Sequence, residues 1–210
     1  MISIDSFFSR VLPYVMGCSE PMARQALLDS AIKFCDQSNV IRQTVDAFST
    51  VSGLVSYDLE TPNTQMRVSR VLAVTVDGAE IGGIFEEDVP RLSSQSAKPT
   101  SFYTTRIDSE LVVNMHPLPD AAYSVIVTAA YAPTRSATSL ENDLYNYYSE
   151  GIVAGAIARL ASIPNMPFSN DILAAKMEME AVKQCSAAKT ESYYGRIRGG
   201  TRVKSRPLVR

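Results

Sequence analysis

The spacing of apolar residues changes twice along the chain, and those changes limit the folds open to it. Ala23, Leu27, Ala31 and Phe34 recur three and four residues apart, and Leu28, Ile32 and Cys35 widen the stripe. That is the period of one helix face. Ser19 is placed to cap this helix, Pro21 falls in its first turn, where a missing N–H is harmless, and Asn39 marks its end. A shorter helix is expected before it, capped by Ser3 and running to Val11, with Pro13 and Gly17 breaking the chain between the two. Past Asn39 the period becomes two. Ile41, Val45 and Ala47 alternate with Arg42, Thr44 and Asp46. Segments 54–59, 68–76, 102–107, 111–115 and 123–131 continue in this style, rich in β-branched residues. Asp77-Gly78 predicts one hairpin turn and Asp108-Ser109-Glu110 a second, while 85–92 reads as a loop with one helical turn. After Pro133 the helical period returns, over 140–162 and again from a cap at Ser169 or Asn170 to about 189. Ile172, Ala175, Met179 and Val182 are predicted on the inner face of that last helix.

The simplest way to bury these stripes is to pack the helices on one another. The expected fold is therefore α+β: a helical bundle of one N-terminal and two C-terminal long helices, built from 1–39 and 133–190. An antiparallel β module over 40–132 is inserted into it, and an extended basic arm occupies 191–210. With 46% hydrophobic and 20% charged residues, the 210-residue chain has the composition of a globular protein. No window approaches 18 consecutive apolar residues, so neither a membrane helix nor a membrane partner is expected. Residues 1–10 hold no basic segment leading into an apolar run, so no secretory signal is expected. Cys18, Cys35 and Cys185 are far apart and odd in number, which fits neither a disulfide framework nor a zinc spacing, but a reducing compartment.

Charge is unevenly placed. Arg196, Arg198, Arg202, Lys204, Arg206 and Arg210 lie in the last fifteen residues with no acid among them. Without these six, 14 basic face 22 acidic residues in 1–195, a net of −8. The basic segment cannot make a core. It suits nucleic acid, through phosphate neutralisation, or an acidic protein surface, or it serves solubility alone. Tyr193-Tyr194 just precede it, and no aromatic residue is interleaved within it for base stacking.

Motifs for chemistry are sparse. His116, the single histidine, precedes Pro117-Leu118-Pro119 and has no nucleophile near it in sequence, so a loop position is expected. Glu86-Glu87-Asp88 lacks the alternating ligands of a calcium loop, and the first turn of a short helix accounts for it. Gly82-Gly83 lacks the Gly-Lys-Ser/Thr of a phosphate loop. No catalytic residue, metal ligand or cofactor is assigned. Gly151 and Gly155 lie four apart on a predicted helix and point to close helix approach. Tyr145, Tyr147 and Tyr148 spread around that helix and suit a protein interface, beside the plainer reading of an ordinary bundle surface. These five residues are the candidate packing or subunit interface.

The order of motifs resembles one family, the head-to-tail adaptor (head–tail connector) proteins of tailed bacteriophages. The resemblance runs over about 12–185. It begins with Leu12-Pro13-Tyr14-Val15-Met16-Gly17-Cys18 and passes through Ala31-Ile32-Lys33-Phe34-Cys35 and 53–59. Val76-Asp77-Gly78, Lys98-Pro99, Phe102-Tyr103 and Pro117-Leu118-Pro119 follow in order. Its strongest part is 148–160, with Gly155-Ala156-Ile157-Ala158-Arg159-Leu160, then Pro164 and Pro167-Phe168-Ser169-Asn170. Phe168 stands where many relatives carry tryptophan, and the basic tail is not a hallmark of the family. The resemblance implies a structural virion protein of the neck, made in the bacterial cytoplasm. It implies a homo-oligomeric ring, usually a dodecamer, joining the portal protein to a tail or nozzle protein and continuing the channel for genomic DNA without sequence-specific binding. It also implies a helical bundle with an inserted β module, and interface surfaces rather than an active site. On that reading the six basic tail residues form a portal-docking arm. Two other readings are a carboxylate-based cell-wall glycoside hydrolase and a DNA-binding module using the tail.

Overall fold

Two long β-strands set the architecture, and one long helix packs against the second of them. The computed structural model describes residues 1–91, 95–107 and 110–194. In chain order the elements are β1 (Ile2–Ser3), α1 (Phe8–Val11), α2 (Glu20–Ser38), β2 (Arg42–Thr44), β3 (Phe48–Ser49) and β4 (Ser56–Asp58). Then come β5 (Met66–Val76), β6 (Ala79–Gly83), β7 (Ser101–Ile107), β8 (Glu110–His116), β9 (Ser124–Pro133) and β10 (Ser139–Leu140). The chain closes with α3 (Asn142–Ala161) and α4 (Asp171–Tyr194). Eight strands form one sheet in the order β2-β9-β5-β6-β7-β8-β4, with β3 also on β9. β1 and β10 make a separate antiparallel pair.

The expected helical bundle with a small inserted antiparallel module is corrected here. Among the described residues the molecule is a strand-rich, curled eight-stranded half-barrel with four α-helices. Three physical features make the sheet the frame. First, β5 and β9 run 11 and 10 residues, and they pair antiparallel along nearly their whole length. Second, register shifts between Val68 and Arg70 and between Val71 and Ala73 bend β5, as bulges do. Third, β6 and β7 pair in parallel, Gly82 with Ser101 and Gly83 with Phe102, which joins two antiparallel ladders into one mixed sheet. The sheet has its own core, in which Val74, Val76, Val113, Met115, Val125, Val127 and Tyr131 are buried. Ile41 packs against this core and against the helical one.

Local chemistry explains where elements stop. Asp77 and Gly78 both have positive φ, 50° and 79°, as the two-residue turn between β5 and β6 requires. Asn39 closes α2 in the left-handed region, φ 53°, with its N–H donating to the Cys35 carbonyl at 2.9 Å. Ser19 precedes α2 as expected, but its side chain makes no capping bond. Asn170 does cap α4: its Oδ1 accepts from the Leu173 N–H at 3.0 Å. That helix continues to Tyr194, past the predicted end near 189, so its last turn takes in the first residues assigned to the arm. Polar links tie the helices to their neighbours, among them one from the sheet and one between helices. Arg67 on β5 donates to both carboxylate oxygens of Asp36 on α2, at 2.7 and 3.0 Å, and the Ser69 hydroxyl also donates to Asp36. Lys33 on α2 pairs with Glu178 on α4 at 2.8 Å.

Candidate interaction surfaces

α3 is the helix that its neighbours surround, and small residues permit it. A side chain added at Gly151 would stand 2.7 Å from the Phe34 ring and 2.9 Å from Gln184 Cβ. One added at Gly155 would overlap the Ser30 hydroxyl and lie 3.7 Å from Ala181 Cβ. Ser30 uses that space to donate to the Ile152 carbonyl at 2.7 Å, buried between α2 and α3. Gly151 and Gly155 are thus contact points of α2 and α4 on α3 within one subunit. The tyrosines divide. Tyr145 packs edge-on against buried Phe7, ring centres 5.0 Å apart, and carries the Arg10 guanidinium over its face at 5.2 Å. Tyr148 meets Phe34 at 5.6 Å. Both lean on the helical core, whereas Tyr147 is exposed.

The last helix shows what periodicity alone misassigned. Ile172, Ala175, Met179 and Val182, expected inside, point outward, with Ile172 85% and Met179 71% exposed. α4 carries two apolar stripes. The one that faces the core runs through Leu173, Met177, Cys185 and Ala188. Ala181 sits opposite Gly155, a pairing of small residues that lets α4 approach α3 closely there, and the stripe with Ile172, Met179 and Val182 is left in solvent. On the other flank of α4 lies a groove of about 490 Å³ between the N-terminal segment, α3 and α4. Val153 and Ile157 form its floor, Pro13, Tyr14 and Met177 its walls, and Glu150 and Glu180 bring acid to it.

The residues considered for chemistry are scattered. His116 ends β8, and its carbonyl accepts from the Ser101 hydroxyl at 3.1 Å. Glu86, Glu87 and Asp88 open a short 3₁₀ helix. Gly82 and Gly83 belong to the parallel pairing of β6 with β7. Among the described residues no group of three or more His, Cys, Asp or Glu is placed to hold a metal ion, and no helix is long and apolar enough to cross a membrane. Burial pushes the thiols of Cys18, Cys35 and Cys185 up, away from the thiolate that nucleophilic chemistry needs. Glu180 shares its groove with Glu150, but its carboxyl is held below the usual range by a hydrogen bond from Gln184, and then by Lys183. A general acid needs the opposite shift. The six basic residues of the arm, Arg196 to Arg210, lie outside the described residues. A scan of the chain against protein-family models finds no match, and a search of the curated proteins finds none either.

Proposed function

We propose that this chain is a structural virion protein: a ring-forming adaptor that joins the portal of a phage head to the tail and continues the DNA channel. The reading rests on the ordered series of motifs from Leu12 to Asn170. The fold that the resemblance implied is not the one found, so the surfaces have to carry the structural side of the case. The observation that does so is the outer face of α4, where Ile172, Met179 and Val182 are all exposed on one helix. An apolar stripe of this kind on a folded subunit is what a protein–protein contact uses. Such an adaptor makes contact with itself, with the portal protein and with a tail protein.

The test is particle mass and shape. Purified protein, alone and mixed with portal-bearing heads, is expected to give closed rings many times the 22.9 kDa subunit in electron micrographs. A chain that stays monomeric in solution and leaves heads bare overturns the reading. Digestion of peptidoglycan would favour the hydrolase, and tight, salt-sensitive binding to free DNA would favour the DNA-binding module.

A further inference from the structure

We propose that the exposed ridge of α4 on one copy seats in the groove between α3 and α4 on the next copy, so that each subunit carries a plug on one side and its socket on another. This rests on the ring reading above and specifies how the ring closes. Three observations carry it. The ridge and the groove are separate surfaces of one helix. Met177 walls the groove and Met179 crowns the ridge, and two residues of α-helix turn the side chain by about 200°. A subunit therefore cannot fill its own groove with its own ridge. The two surfaces also match in kind: Ile172, Met179 and Val182 project from the helix, and the groove offers Val153, Ile157, Pro13, Tyr14 and Met177.

Charge selects a second copy as the occupant. Lys176 and Lys183 flank the ridge, and Glu150 and Glu180 lie at the groove. Arg10, the basic residue of the groove, is held by the Ser149 hydroxyl at 2.6 Å and by the Tyr145 ring, while Glu150 is exposed and Glu180 accepts from Gln184 at 2.8 Å. Within one subunit Lys183 reaches Glu180 only at 3.4 Å, with the lysine side chain 74% exposed, and a pair of that kind exchanges partners at little cost. Plug and socket being different patches, the contact is head-to-tail. Contacts of that class close into rings when the rotation allows.

The test uses two full-length variants. Met179→Asp spoils the plug and leaves the socket; Tyr14→Asp spoils the socket and leaves the plug. Both positions are more than half exposed, so both variants are expected to melt like the wild type; where one does not, Val182→Asp or Glu150→Lys replaces it. Masses are read by sedimentation and native mass spectrometry, and occupancy on portal-bearing heads by electron microscopy. Each variant alone is expected to self-associate at least tenfold more weakly than the wild type. Mixing the two is expected to give a species of two subunits and no larger one, because only one plug and one socket survive. Rings formed normally by either variant, or a mixture that stays monomeric, overturn the plug-and-socket pairing and leave the ring reading standing. A wild-type chain that neither assembles nor occupies heads overturns both.

Discussion

Gly155 shows how one missing side chain arranges three helices. The Ser30 hydroxyl occupies the space where a Cβ would be, and its bond to the Ile152 carbonyl fixes α2 on α3. Gly155→Leu must displace Ser30 and push Ala181 away, and overfilling of this sort costs roughly 1–3 kcal/mol. Chemical denaturation is expected to show that loss, and an unchanged midpoint would refute the packing argument. A second residue controls a loop through charge. Lys98 donates to Asp77 Oδ2 at 2.7 Å and the Ser124 N–H donates to Oδ1 at 3.0 Å, which hold the Asp77 carboxyl below the usual range. A carboxyl with a lower pKa folded than unfolded stabilises the fold above its unfolded value. That contribution disappears as pH falls through the folded value. An NMR titration is expected to find Asp77 protonating at lower pH than a free aspartate, and Lys98→Ala should move the midpoint back up. A midpoint that ignores the lysine would assign the shift to the Ser124 amide alone.

At the scale of elements, α4 separates what a sequence carries from what it leaves to the partner. Its two stripes predict contrasting responses to one substitution. Ala188→Asp puts a carboxylate at a position 2% exposed against the core and is expected to lose about 1–3 kcal/mol or more, whereas Val182→Asp at 52% exposure is expected to stay within about 0.5 kcal/mol. Equal thermal melts for the two would mean that the helix is turned the other way. The helical periods of α2, α3 and α4, the strand periods of β5, β7, β8 and β9 and the Asp77-Gly78 turn were all legible, because each depends on neighbours within one element. The inner face of α4 was not. Both stripes are apolar, and the choice between them depends on residues of other helices, such as Gly155, which Ala181 meets. The parallel pairing of β6 with β7 was not legible either, since no turn residue announces a pairing between strands separated by a long connection. Without it the strands read as short hairpins, and the sheet was underestimated as an insertion. Gly151 and Gly155 were found from their spacing, while the groove walled by Tyr14 and Met177 was missed because its residues come from three separate segments.

For the molecule as a whole, charge carries the remaining predictions. On the adaptor reading, a body of net −8 over 1–195 is repeated around a ring, and the basic tail of each copy brings the whole chain to −2. Acidic side chains are expected to line the lumen, where they would repel phosphate and let DNA slide; a lumen found mainly basic in a ring reconstruction would refute this. The counterpart is the basic segment 196–210. It has five arginines to one lysine and no acid, and the planar guanidinium suits two-bonded recognition of carboxylates. Val203, Leu208 and Val209 add apolar anchors, or the makings of a strand on a partner's sheet edge. On the adaptor reading this segment docks on the portal, and a ring multiplies a weak single contact into a firm one. Truncation after Gly195 removes it and leaves every described element intact, since α4 ends at Tyr194. The shortened chain is expected to melt like the full one and to attach poorly to portal-bearing heads. Attachment of the full chain should weaken as salt is raised during assembly, as exposed charge contacts do. If the truncated chain attaches as well as the full one, the segment does not hold the portal, and loss of DNA retention in the same particles would assign it to DNA instead.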